Sequence, residues 1–148
     1  MNRQIVTHSA QETENVARKL AEELRPGAFV ALYGDLGAGK TCFIRGLAEG
    51  LGCTDPVSSP TFAIVHDYRG PRPLCHFDMY RIDRDGLEDT GFYEYLDSGR
   101  IVACEWCENI EDTIPKDAIR VRIEYGRAET ERIITIFDEK QLRGVINV

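Results

Sequence analysis

The sequence has 148 residues, of which 43% are hydrophobic and 29% are charged, and its formal net charge is -7. This length predicts one domain, spanning residues 1–148, with a core large enough to need no metal or disulfide. The negative charge argues against independent binding to nucleic acid, because affinity for a phosphate backbone rests largely on Lys and Arg.

The cysteine content and the start of the chain indicate a cytoplasmic protein. The five cysteines are an odd number, and the start MNRQIVTHSAQ has no apolar stretch typical of a signal peptide. We therefore expect reduced thiols rather than a disulfide framework. No apolar run approaches the ~18 residues that span a bilayer, so we expect no membrane role.

Strands and helices alternate in the first part of the chain. A short strand around Ile5–Thr7 precedes Ser9, and Glu12 three residues later gives a capping-box pattern for a helix that ends before Pro26. The apolar run Phe29–Tyr33 then predicts a buried strand, which a glycine-rich turn and a second amphipathic helix follow.

The rest of the chain is rich in short strands, with one more helix among them. The predicted strands are Thr61–Asp67, Leu74–Tyr80, Ile101–Trp106, Ile119–Tyr125 and Arg132–Phe137, and the predicted helix is Leu87–Leu96, closed by Gly99. Too few helices separate these strands for an all-parallel sheet, and the last two resemble a hairpin. We therefore expect an α/β fold with a mixed parallel and antiparallel central sheet.

The strongest motif lies between the predicted strand Phe29–Tyr33 and the second helix. It matches G-x-x-x-x-G-K-T at every fixed position, with the residues Gly34, Asp35, Leu36, Gly37, Ala38, Gly39, Lys40 and Thr41. The glycines allow backbone N–H groups and the helix N-terminus to converge on phosphate oxygens. Lys40 would neutralise the β- and γ-phosphates, and the Thr41 hydroxyl would bind Mg²⁺.

The nucleotide is expected to be ATP. No N-K-x-D element of the kind that reads guanine occurs downstream of the motif. Asp35 occupies a variable position of the loop and would repel phosphates if it pointed inward, so we expect it to point outward.

Two carboxylates are candidates for the acid that P-loop ATPases place near the metal and the attacking water. Four apolar residues precede Glu105, as in a Walker B strand with Glu in place of the more usual Asp, and the segment ending at Asp78 is similar. Each acid could equally be a solvated carboxylate at the end of a strand.

The hydroxyl-rich segment Val57–Thr61 lies between the second helix and the next strand. Its proline restricts Ser59 to extended geometry, and Thr61 could reach the γ-phosphate or Mg²⁺ as a switch residue does. An ordinary turn explains the same residues.

Four motifs together, GDLGAGKT, SSPTF, HFDMYR and EW, resemble in their order and spacing the TsaE (YjeE) family. The likeness covers most of the chain, and SSPTF and HFDMYR are not general P-loop features. It implies a P-loop NTPase-like three-layer fold, weak intrinsic ATP hydrolysis, and action with the proteins TsaB and TsaD, which transfer a threonylcarbamoyl group to tRNA. Hydrolysis would reset that complex between turnovers, and tRNA would be met only through the complex.

The resemblance also assigns roles to individual residues. It implies that Thr61 is the switch residue, Asp78 a functional acid, Glu105 the second metal-site acid beside Thr41, and Trp106 a functional tryptophan. For Trp106 the alternative is a large core or interface residue. Arg132 is a further candidate on the adenine side of the nucleotide.

Two alternatives remain open from the sequence. A small-molecule kinase would share the P-loop, although no convincing lid is visible. Cys104 and Cys107 form a C-x-x-C around Glu105-Trp106, which a redox or zinc module would use. Against redox chemistry, we expect this motif not to begin a helix, and against zinc only the isolated pair Cys75-His76 could complete four ligands.

Overall fold

The structure, a computed structural model, describes residues 2–35, 37–57, 65–80, 86–87 and 90–138. These residues form strands, α-helices and one 3-10 helix. In chain order the elements are β1 (Asn2–Thr7), α1 (Ala10–Glu23), β2 (Phe29–Tyr33), α2 (Lys40–Gly50), β3 (Val65–Tyr68), β4 (Leu74–Asp78), α3 (Phe92–Leu96), β5 (Ile101–Glu105), the 3-10 helix (Cys107–Thr113), β6 (Ile119–Tyr125) and β7 (Arg132–Asp138).

The described strands form one sheet in the order β1-β7-β6-β2-β5-β4-β3. Strands β6, β2, β5 and β4 are mutually parallel, whereas β3, β7 and β1 each pair antiparallel with a neighbour. The mixed sheet expected from the sequence is therefore confirmed, and so is the terminal hairpin, which is β6–β7. The parallel centre places the carboxyl ends of β2, β4 and β5 along the same edge of the sheet.

Helices cover both faces of this sheet. On one face, α1 and α2 pack over Val30 and Leu32 of β2, and on the other, α3 and the 3-10 helix pack over Phe29 and Ala31. Because alternate residues of a strand point to opposite faces, a strand buried on both faces is apolar throughout. The result is the three-layer α/β arrangement.

The first helix begins as its capping box predicts. The Glu12 backbone N–H donates to Ser9 Oγ at 3.1 Å, and the His8 backbone N–H donates to Glu12 Oε2 at 2.6 Å. At the other end Leu24 takes extended geometry, as expected shortly before Pro26.

Two glycines bring α1 and α2 unusually close. A Cβ on Gly46 would lie 2.3 Å from the Glu14 carbonyl oxygen, and one on Gly50 would lie 2.6 Å from the Ala21 Cβ. Larger residues at these positions would force the helices apart. This packing fixes α2, whose first turn belongs to the glycine-rich loop.

The structure corrects the predicted helix Leu87–Leu96. Leu87 lies in a short 3-10 turn, and the α-helix is only Phe92–Leu96. Gly91 precedes it with φ of +81°, and the Phe92 backbone N–H donates to Thr90 Oγ1 at 3.2 Å. The positive φ breaks the helical path, so the apolar periodicity spans two separate turns.

Several predicted strand ends also shift. Strand β4 ends at Asp78 rather than Tyr80, because the Asp78 carboxylate accepts the Tyr80 backbone N–H at 3.0 Å and turns the chain. Strand β5 ends at Glu105 rather than Trp106. Strand β3 is described from Val65 onward, so the first residues of the predicted strand lie outside the described residues.

The 3-10 helix Cys107–Thr113 was not predicted. Its acids Glu108, Glu111 and Asp112 are exposed to solvent, whereas Cys107 and Ile110 are buried against the sheet. No helix of the described chain is long and apolar enough to cross a membrane.

Candidate functional site

The glycine-rich loop joins the carboxyl end of β2 to the amino end of α2. Its glycines Gly34, Gly37 and Gly39 have φ of +145°, +80° and +114°, values that residues with a side chain rarely adopt. Lys40 and Thr41 form the first turn of α2. Leu36 lies outside the described residues.

Asp35 is exposed at the outer side of this loop, as expected. Its carbonyl accepts the Ala38 backbone N–H at 3.0 Å, which closes the turn. Ala38 itself is buried.

Residues of the hairpin β6–β7 pack directly against the glycine-rich loop. A Cβ on Gly34 would lie 2.4 Å from the Ile123 carbonyl oxygen of β6, and one on Gly37 would lie 3.1 Å from the Tyr125 hydroxyl. Arg132 Nε donates to the Ala38 carbonyl at 3.0 Å, and the guanidinium lies 4.6 Å from the centre of the Tyr125 ring. These contacts fix the loop before any ligand binds.

Arg132 is therefore engaged by the protein itself. Besides Ala38, its Nη1 donates to the carbonyls of Glu129 at 2.7 Å and Glu131 at 2.9 Å. In this geometry its guanidinium holds the loop, and its proposed position beside adenine stays a prediction.

One cavity of about 350 Å³ unites the loop with the predicted acids. Its described lining consists of Gly37, Gly39, Lys40, Thr41, Cys42, Arg45, Asp78, Glu105 and Trp106. This volume is within the range of small-molecule sites. Residues far apart in the sequence thus face the same space because three parallel strands end at this edge of the sheet.

The two candidate acids lie side by side. Asp78 and Glu105 are register partners at the ends of β4 and β5, and the Met79 backbone N–H donates to the Glu105 carbonyl at 3.0 Å. Burial, and to a smaller degree the neighbouring Glu105 charge, raises the pKa of Asp78, although the hydrogen bond from the Tyr80 N–H opposes this. The sequence could not rank the two acids, and the structure brings both to the cavity.

A buried histidine is the residue that the sequence analysis missed. His76 of β4 is fully buried, and its Nε2 lies 2.6 Å from Glu105 Oε2. Its position two residues before Asp78 on the same strand places both on one face of the sheet. That spacing is the available signal in the sequence, since it places His76 and Asp78 side by side on one strand.

Trp106 contacts the loop lysine. It has φ of +59°, the only positive φ of a residue other than glycine among the residues described. Lys40 Nζ lies 4.1 Å from the centre of the Trp106 ring. The centre of the Tyr80 ring lies 4.9 Å from that of the indole. The strained backbone turns the indole from the end of β5 toward the glycine-rich loop.

The chemistry of the lining fits a nucleotide triphosphate with Mg²⁺. The loop glycines and the start of α2 offer backbone N–H groups, and Lys40 adds a cation that is 5% exposed. The Thr41 hydroxyl and the carboxylates of Asp78 and Glu105 are oxygen donors of the kind that Mg²⁺ prefers. Thr61 lies outside the described residues.

The C-x-x-C motif differs from its expected geometry, because Cys107 does begin a helix, the 3-10 helix. Both thiols are buried, and Cys107 Sγ donates to the Cys104 carbonyl at 3.0 Å. Burial, and secondly the hydrogen bond with Cys107, raises the pKa of Cys104 well above its ordinary value. This disfavours the reactive thiolate. The described residues contain no group of three or more His, Cys, Asp or Glu able to hold a metal.

Comparison with known proteins gives consistent matches. The family model described as "Threonylcarbamoyl adenosine biosynthesis protein TsaE" matches residues 7–134. Three curated relatives carry the name tRNA threonylcarbamoyladenosine biosynthesis protein TsaE. The one from Bacillus subtilis (strain 168) is 42% identical over 130 residues, covering 87% of this chain and 81% of the relative.

The other two relatives cover still more of their own length. The protein from Treponema pallidum (strain Nichols) is 34% identical over 132 residues, which is 88% of this chain and 97% of the relative. The protein from Rickettsia bellii (strain RML369-C) is 35% identical over 150 aligned positions, which cover 99% of this chain and 96% of the relative. The crystal structure of Bacillus subtilis YdiB superimposes with a TM-score of 0.81 at 32% identity, covering 99% of this chain and 95% of that one.

Proposed function

The chain belongs to the TsaE family, and from this premise we propose that it is a Mg²⁺-dependent ATPase required for the N6-threonylcarbamoyladenosine modification of tRNA. In this proposal it acts in the cytoplasm with TsaB and TsaD, and hydrolysis of ATP resets their complex between turnovers. The relatives are named for the biosynthesis of threonylcarbamoyladenosine in tRNA, and the ATPase step is argued from the site.

The observation that carries the proposal is the shared cavity of the loop and the two acids. A phosphate-binding loop alone binds nucleotide, but hydrolysis also needs a carboxylate that can orient water or hold the metal. Lys40, Asp78 and Glu105 all line this cavity of about 350 Å³. Binding groups and hydrolytic groups therefore face the same ligand.

Each lining residue has a part that its chemistry supports. Lys40 and the loop N–H groups bind the phosphates and offset their charge. Thr41 and Glu105 would hold Mg²⁺, which when bound neutralises charge on the phosphate oxygens. Asp78 is half-buried beside Glu105 and is suited to orient an attacking water. Trp106 positions Lys40 through the face of its ring.

The same lining supports slow hydrolysis by the protein alone. Arginines that stabilise the transition state of phosphoryl transfer contribute about 10³–10⁵ in rate. Arg45 is the only arginine among the described residues that line the cavity, and its Nη1 is paired with Glu14 Oε1 at 3.1 Å. A partner that reorders this edge, or adds a cation, would accelerate turnover, in keeping with action through TsaB and TsaD. The net charge of -7 supports contact with tRNA through those partners.

The test is ATP turnover by the purified protein, alone and with TsaB, TsaD and substrate tRNA. Wild type is compared with Lys40→Ala and Glu105→Ala, and with Glu108→Ala as a matched control, since Glu108 is an exposed acid three residues further along. We expect slow turnover alone, acceleration by the partners, loss in the first two variants and wild-type turnover in the control. Turnover unaffected by the partners, with phosphorylation of a small metabolite, would instead indicate a kinase.

A further inference from the structure

His76 is a polar ring in the apolar centre of the sheet. It lies in β4 between β3 and β5, and its side chain has no exposed surface. Burial of a polar group is unfavourable unless it finds a hydrogen-bond partner. The position therefore needs an explanation other than packing.

The imidazole has one polar contact among the described residues, and that contact is Glu105. His76 Nε2 lies 2.6 Å from Glu105 Oε2, whereas Nδ1 is buried and has no hydrogen-bond partner among the residues described. A buried N–H without an acceptor is more costly than an unused lone pair on a weak acceptor. The proton therefore belongs on Nε2, which donates to the carboxylate, and Nδ1 carries the lone pair.

Two rings of the edge strand keep the imidazole in place. The Tyr68 ring lies nearly parallel to it at 6.3 Å, and the His66 ring lies at 6.2 Å. Burial lowers the pKa of His66, so the His66 ring favours its own uncharged form. The imidazole is thus enclosed by rings on the β3 side and directed toward Glu105.

We propose that His76 is a positioning residue that fixes the Glu105 carboxylate by donating a hydrogen bond from Nε2 to Oε2, so that Oε1 serves the nucleotide and metal in the cavity. The inference rests on the proposed ATPase function of that cavity. Metal ligands and catalytic carboxylates are commonly oriented by such outer partners, whose loss lowers affinity or activity about 10–100-fold.

The sheet register explains why the acid at this strand end is Glu and not Asp. His76 pairs with Ala103, and Asp78 pairs with Glu105, so Glu105 must reach back along the sheet to contact the imidazole. Its extra methylene supplies that reach. Glu105→Asp should therefore lose the contact with His76 while keeping a carboxylate at the strand end.

Four variants separate the hydrogen bond from packing. His76→Gln can place an amide N–H near the position of Nε2, whereas His76→Asn places its amide near Nδ1. His76→Phe keeps a ring without a donor. His8→Gln is the matched control, because His8 is an exposed histidine outside the described lining of the cavity.

The first readout is the tautomer, measured by long-range ¹⁵N–¹H correlation spectra of the full chain, which has three histidines. We expect one ring protonated at Nε2 only, whose signals disappear in His76→Phe and shift in Glu105→Ala. A His76 ring without a proton at Nε2 would overturn the proposal. This measurement needs no activity, so it judges the contact even if the protein hydrolyses no ATP.

The second readout separates turnover from binding, with TsaB and TsaD present. We expect kcat to fall about 10–100-fold in His76→Phe, His76→Asn and Glu105→Asp, with ATP affinity changed far less. His76→Gln and His8→Gln should stay close to wild type. Wild-type kcat in His76→Phe, or equal loss in folded His76→Gln, would refute positioning. If Glu105→Ala itself hydrolyses ATP normally, the proposed function fails, and the spectra still decide the His76 contact.

Discussion

Replacing Gly34 by alanine should destabilise the fold because the glycine faces the backbone of β6. An alanine Cβ at this position would lie 2.4 Å from the Ile123 carbonyl oxygen, although ordinary contacts begin near 3.4 Å. The loop and β6 would have to separate by about 1 Å. Since the contact is with a carbonyl, no change of side chain at Ile123 could relieve it.

The magnitude follows from three contributions. Overpacking of this kind costs about 1–3 kcal/mol, and a positive φ adds about 1–2 kcal/mol for a residue with a Cβ. Lower entropy of the unfolded alanine chain offsets about 0.4–1 kcal/mol. We expect a net loss of about 3 kcal/mol, or a melting temperature lower by about 6–12 °C for a chain of this size.

Gly27→Ala is the matched control. Gly27 has φ of +81°, but a Cβ there would meet nothing within 4 Å, so only backbone strain applies. Its expected loss is about 1 kcal/mol, or about 2–4 °C. Both variants are compared with wild type by urea and thermal unfolding followed by circular dichroism. If Gly34→Ala is no less stable than Gly27→Ala, β6 does not restrict the loop and the reasoning is wrong.

Three further predictions concern the cavity and the cysteines. Trp106 is the only tryptophan, so ATP binding that draws Lys40 away from its ring should change the intrinsic fluorescence. Lys40→Ala should abolish this ATP-dependent change. A fluorescence titration with ATP that is the same in Lys40→Ala as in wild type would contradict the prediction. Because burial raises the pKa of Asp78, the folded state binds its proton more tightly than the unfolded state, and stability from this group falls as pH rises above the ordinary value of 3.8. Asp78→Asn should therefore raise the melting temperature at pH 7 and remove that pH dependence. The same variant should lower ATP turnover about 10-fold or more. A lower melting temperature at pH 7 would show that ionised Asp78 stabilises the fold. Replacing both Cys104 and Cys107 by alanine should leave kcat within about 2-fold of wild type in a steady-state assay, because both thiols are buried and burial raises the pKa of Cys104. A large loss would revive the redox or metal interpretation.

Most of the glycine-rich loop and its flanking elements could be predicted from the sequence because their signals are local. The loop residues are contiguous, and both flanking elements have clear apolar periodicity. The cap at Ser9 is equally local, and the structure confirms it, although Glu12 accepts from the His8 backbone N–H rather than from that of Ser9. The nearness of Asp78 and Glu105 needed the sheet order, which places β4 directly beside β5.

Features that depend on tertiary contacts could not be predicted in the same way. In the 3-10 helix, Cys107 and Ile110 are buried at a spacing of three while the acids beside them stay exposed, and two apolar positions are too few to predict a helix from the sequence. The role of His76 depends on a partner 29 residues away. Leu36 and Thr61 lie outside the described residues, so the roles predicted for them stay predictions.

The position of β1 has a consequence for synthesis on the ribosome. β1 pairs with β7, so the first strand has no sheet partner until the last strand has been translated. At about 5–20 residues per second, the roughly 125 intervening residues take about 6–25 s to emerge. Arg132, which donates to the Ala38 carbonyl, appears in that same late segment. A nascent chain would therefore gain the support of its glycine-rich loop and the pairing of β1 with β7 together, once β7 has been made.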